Sequence, residues 1–151
     1  FRIMPDGRLG VVDFGAVARL PEGLPESMGR LLRLAVDGDY LSVVDGLHDE
    51  GFLKKGVNLD ADTIAQYIGP FTEPASVDRF SFNREWMRAQ MQRVSAPSAE
   101  GMGTAMKINL PPQYLLIHRV WFGGIGVLSQ LGATAPFRSI LEESLPGFAR
   151  V

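Results

Sequence analysis

Residues 7–21, Gly-Arg-Leu-Gly-Val-Val-Asp-Phe-Gly-Ala-Val-Ala-Arg-Leu-Pro, divide the chain into two kinds of pattern. Up to Gly15 the residues favour strand; beyond Pro21 they favour helix. Residues 2–13 read as a β-hairpin: "RIM", the turn Pro5-Asp6-Gly7, then "RLGVVD". Proline presets φ for the turn and glycine accepts positive φ without steric cost. The returning strand ends in Asp13-Phe14-Gly15, which puts a carboxylate where the chain has to change direction. Asp13 is then either a metal ligand for phosphoryl transfer or one acid among many at a strand end.

Everything after Pro21 reads as helix, about six in all, so the expected class is mainly α with a short N-terminal hairpin. Met28, Leu31, Leu32, Ala35 and Val36 repeat with helical spacing behind Pro25, a suitable first-turn proline. Asp39 is a candidate cap for a second helix with Leu41, Val44 and Leu47 inward, closed by Gly51. Asp60 is a candidate cap for a third, carrying Ile64, Tyr67, Ile68 and Phe71, with Pro70 and Pro74 expected to limit its length. A fourth spans about residues 83–94, with Trp86, Met87, Met91 and Val94 on its apolar side. Residues 95–105, "SAPSAEGMGTA", read as a loop of small residues and the most mobile part of the chain. Pro111-Pro112 introduces the longest helix, with Ile117, Trp121, Gly124, Leu128 and Leu131 in register. Gly123, Gly124 and Gly126 cost it helix propensity, about 1 kcal/mol each, which implies close backbone packing there. The last helix carries Phe137, Ile140, Leu141 and Leu145. No internal repeat is visible, and 1–151 reads as one domain, with the hairpin and motif first and 24–151 helical.

The 151 residues are 46% hydrophobic and 21% charged, a globular balance with enough chain for a real core. A net charge of −2 leaves no electrostatic footprint for nucleic acid, and none is expected as a partner. With no cysteine, disulfide scaffolds and thiolate metal sites are excluded. The apolar run "YLLIHRVWFGGIGVLSQLG" approaches bilayer length, but His118, Arg119 and Gln130 interrupt it, which favours a buried helix. The expected location is the cytoplasm, with peripheral membrane contact open. Phe1 stands almost inside a strand signal, so a fragment of a longer protein is expected.

Phosphoryl transfer needs a divalent metal bridging nucleotide phosphates, and magnesium takes one or two carboxylates with phosphate oxygens and water. A carboxylate ending a hairpin meets that need. By average residue usage the tripeptide arises by chance in roughly two of a hundred chains of this length, so its context has to carry the signal. That context is the segment "FRIMPDGRLGVVDFGAVARLPEG", the helices after it, and "LPPQYLLIHRVWFGGIGVLSQLG". Together they resemble the UbiB/AarF/ADCK family of atypical kinases, matching the second half of a protein-kinase-like C-terminal lobe.

The resemblance implies magnesium and ATP as cofactors in the full protein, with Asp13 as metal ligand and Asp13, Phe14 and Gly15 as the cofactor-binding motif. It also implies a link to quinone or other isoprenoid-lipid metabolism. The family's nucleotide loop, strand lysine, helix glutamate and catalytic-loop Asp and Asn have no counterpart in these residues. No catalytic residue is therefore expected within the chain, which alone is expected to be inactive. No Ala-Pro-Glu or long activation segment follows, which argues against protein substrates.

Two other readings stand beside this one: a non-catalytic helical interaction or lipid-contact module, and a small-molecule phosphotransferase of the aminoglycoside or choline kinase type. Expected partners are the rest of the parent protein or a second copy, through uncovered Phe1, Ile3 and Val11, and a membrane lipid surface. Arg84, Arg88, Arg93 and Lys107 read as a solvated face or a contact for anionic lipid. Met87, Met91, Met102 and Met106 read as core filling or an adaptable apolar surface. His118 and Arg119 lie within the long helix, His48 near a helix end where an imidazole suits the dipole. Arg19 follows the motif, facing either phosphate or solvent. No histidine pair has zinc-ligand spacing.

Overall fold

The computed structural model describes residues 2–13, 15, 17–95 and 103–149. This chain is mainly helical. Strands β1 (Arg2–Ile3) and β2 (Leu9–Gly10) form the hairpin, paired antiparallel with Arg2 opposite Gly10 and Ile3 opposite Leu9. The turn closes where Gly7 N–H donates to Met4 O at 2.9 Å and Met4 N–H to Arg8 O at 2.9 Å. Asp6 braces it by accepting from the Arg8 backbone N–H at 3.1 Å and from Nε at 2.8 Å. These two bonds hold the Asp6 carboxyl below its usual range. The ladder is shorter than the sequence implies: Val11, Val12 and Asp13 lie beyond β2 in exposed, unpaired chain. The pairing ends after two residues a side, so they have no ladder to join.

Helices α1 (Glu26–Asp37), α2 (Tyr40–Asp49) and α3 (Ala61–Ser76) come next and pack on one another. Two of the three starts are capped as expected. Asp39 accepts from Ser42 N–H at 3.2 Å and from the Ser42 hydroxyl at 2.7 Å, and Asp60 accepts from Thr63 N–H at 2.7 Å. Gly51 comes after the end of α2 at φ +77°, as its role as a stop requires. Two expectations do not hold. Leu41 is 73% exposed, and α2 buries Val43 with Leu47 instead. Helix α3 runs through both Pro70 and Pro74. Its contacts with α1, α2, α4 and α7 hold it helical despite the lost backbone bonds, a tertiary override of propensity.

Beyond α3 lie β3 (Phe80–Ser81), α4 (Arg84–Ser95), the short α5 (Thr104–Lys107), a 3-10 turn (Pro112–Tyr114), α6 (Leu115–Leu131), β4 (Thr134–Ala135) and α7 (Phe137–Ser144). Asn83 caps α4 through Trp86 N–H at 2.8 Å. β3 and β4 pair antiparallel, Phe80 opposite Ala135, a ladder with no clear sequence signal.

The core has three clusters. The first joins Ala35, Val43, Leu47, Leu53, Leu59 and Ile64; the second Ala75, Leu145 and Phe148; the third Phe80, Phe82 and Ile125, ringed by Trp86, Trp121 and Phe137. The α6 stripe is rotated from its expected position. Ile125 and Ser129 are buried, while Gly124 is exposed and Leu131 is 74% exposed. On α4 the buried residue is Gln90, not Met91, and on α7 Ile140 is 44% exposed.

The glycines of α6 do not meet a second backbone. A Cβ on Gly123, Gly124 or Gly126 would have nothing within 4 Å. The close approach lies elsewhere, where Gly29 of α1 meets the segment after α7. A Cβ on Gly29 would overlap Pro146 O and Phe148 N, and one on Gly147 would overlap Glu26 O. Gly147 also adopts φ +77°, so both its conformation and its surroundings require glycine.

Candidate functional site

Asp13 stands in the exposed connection between hairpin and helices. Its Oδ1 accepts from the Gly15 backbone N–H at 2.8 Å, an Asx-type turn that aims the carboxylate without help from the core. A Cβ on Gly15 would lie 3.1 Å from that same oxygen, so any larger residue presses on the turn. The turn occupies one carboxylate oxygen and leaves the group open to solvent. An exposed aspartate of this kind suits magnesium, which needs few protein ligands when phosphates and water supply the rest. Among the described residues no three His, Cys, Asp or Glu side chains gather into a metal cage. The Asp13 carboxylate by itself fits a metal that takes its other ligands from phosphate and water.

Phe14, the middle of the motif, lies outside the described residues, as do Phe1, Met102 and residues 96–102 of the expected mobile loop. Arg19 is exposed six residues past Asp13. Of the apolar residues expected to be uncovered at the hairpin, Ile3 is 83% and Val11 49% exposed; Val12 and Val17, which the sequence did not single out, are 60% and 64% exposed.

The remaining candidates scatter over the surface. Arg84, Arg88 and Arg93 are exposed along α4, Arg93 donating to Gln90 Oε1 at 3.0 Å. Lys107 lies with Asp60, Asp62, Thr63 and Gln66 around a polar hollow of about 340 Å³ at the start of α3. Met87 packs into the third cluster, whereas Met106 is 82% exposed. The His118 imidazole leans on Phe122, ring centroids 4.5 Å apart, and partial desolvation lowers its pKa from the usual histidine value. Arg119 is exposed and His48 sits in the last turn of α2. None of these lies in a cluster with Asp13 that the described contacts reveal.

Two polar networks that the sequence did not signal tie the helices together. Tyr114, 3% exposed, donates its hydroxyl to Glu50 Oε2 at 2.5 Å and lies 2.9 Å from Ser27 Oγ. Because the phenol has one proton, the Ser27 hydroxyl is the donor to Tyr114. Burial, together with the bond to Glu50, raises the Tyr114 pKa. This triad joins the start of α1, the end of α2 and the entry to α6. In the second network the buried Arg33 donates to Asp37 at 3.0 Å and to Glu142 at 3.1 Å, with its guanidinium 5.4 Å from the Phe148 ring centre. It bridges α1 and α7.

Among the described residues no helix is long and apolar enough to cross a membrane. No family model matches the sequence, and no curated protein matches it. Among solved structures, the chain is similar to the complex of Rv3197 with erythromycin from Mycobacterium tuberculosis, at 30% sequence identity and a TM-score of 0.83. The likeness covers 99% of this chain and 37% of that one, so this chain spans a little over a third of the length of the protein it is similar to.

Proposed function

We propose that this chain is the C-terminal-lobe portion of an ATP-binding atypical kinase or ATPase resembling UbiB, with Asp13 as its magnesium ligand. The observation that carries the reading is the Asp13 carboxylate, exposed in the chain that follows the hairpin and turned by the Gly15 N–H at 2.8 Å, ahead of a mainly helical body. Magnesium held there would neutralise phosphate oxygens of a bound nucleotide, which is the main electrostatic demand of phosphoryl transfer. Asp13 supplies one ligand, and Gly15 keeps the carboxylate close to the backbone. The quinone or isoprenoid-lipid connection comes with the resemblance and rests on it alone.

The experiment is nucleotide titration of the full-length protein with and without magnesium, in wild-type and Asp13→Asn forms. The reading expects magnesium-dependent binding that the substitution removes while the fold stays intact. Equal affinity in both forms returns Asp13 to a structural role and favours the non-catalytic helical module. Transfer of phosphate to an aminoglycoside or choline favours the small-molecule phosphotransferase reading.

A second reading comes from the erythromycin complex of the similar protein: a macrolide binds a surface to which this chain contributes. Titration with erythromycin, by tryptophan fluorescence from Trp86 and Trp121, tests it directly.

A further inference from the structure

We draw no further inference here: the strongest candidate, the exposed apolar face of α6 at Val120, Val127 and Leu131, carries nothing, because nothing in the structure shows what covers it.

Discussion

Asp13 is separable from the stability of the fold. Its side chain is exposed and, among the described residues, bonds within its own turn, so Asp13→Asn keeps an oxygen for the Gly15 N–H while losing the charge. Surface changes of this kind stay within about 0.5 kcal/mol. The melting temperature should hardly move, while magnesium-dependent nucleotide binding by the full-length protein disappears. Tyr114 is the opposite case. Tyr114→Phe removes the bond to Glu50 and is expected to destabilise by about 1.5–3 kcal/mol, read by denaturant unfolding near pH 7. Folding raises the Tyr114 pKa, so the phenol's contribution is complete below the ordinary tyrosine value of about 10 and is lost as pH climbs through the folded-state value. The gap between wild type and Tyr114→Phe should be constant from about pH 7 to 9 and narrow above about pH 10. A gap that widens there would show that the phenol ionises more easily in the fold than outside it. At this scale the sequence was readable where a side chain bonds its near neighbours, as Asp39 and Asp60 do. It was silent about Tyr114, whose partners Ser27 and Glu50 are 87 and 64 positions away.

At the scale of elements, glycine means different things in two helices. In α1 Gly29 is a contact, because the chain at 146–148 runs where its side chain would be. Gly29→Ala is expected to force α1 away from that segment and cost about 1–3 kcal/mol or more. In α6 a Cβ on Gly126 would meet nothing within 4 Å, so Gly126→Ala should stabilise by up to about 1 kcal/mol through helix propensity alone. Thermal unfolding of the two variants gives shifts of opposite sign; a loss in both would mean that α6 is also packed against backbone. The hairpin shows the same dependence on surroundings. Its turn forms as Pro5, Asp6 and Gly7 dictate, yet the valines that read as strand stay unpaired because no sheet receives them.

For the molecule as a whole, the helices are tied by contacts that cross the sequence. Arg33 links α1 to Glu142 on α7, and the second cluster draws Ala75, Leu145 and Phe148 together around the same junction. Of the metal-binding machinery that the proposed function calls for, this chain would bring the Asp13 carboxylate alone. The nucleotide loop, strand lysine and catalytic-loop residues that the resemblance requires do not occur in these 151 residues. The chain by itself is expected to show no magnesium-dependent ATP hydrolysis above background. Hydrolysis by the purified chain, abolished by Asp13→Ala, would mean that the helical body holds the phosphates unaided and that the division of labour proposed for the parent protein is wrong.

Sequence by itself determined the mainly helical class, through the spacing of its apolar residues, and the hairpin turn and the starts of α2, α3 and α4, which rest on hydrogen bonds between residues two or three apart. Tertiary structure alone decided that α3 continues through Pro70 and Pro74, that Arg33 and Gln90 are buried, and which side of α6 faces the core. With apolar residues on more than one side, α6 does not show in its sequence which of them will find a partner. Only the aromatic cluster of Phe80, Phe82 and Trp86, brought against it by β3 and α4, made that choice.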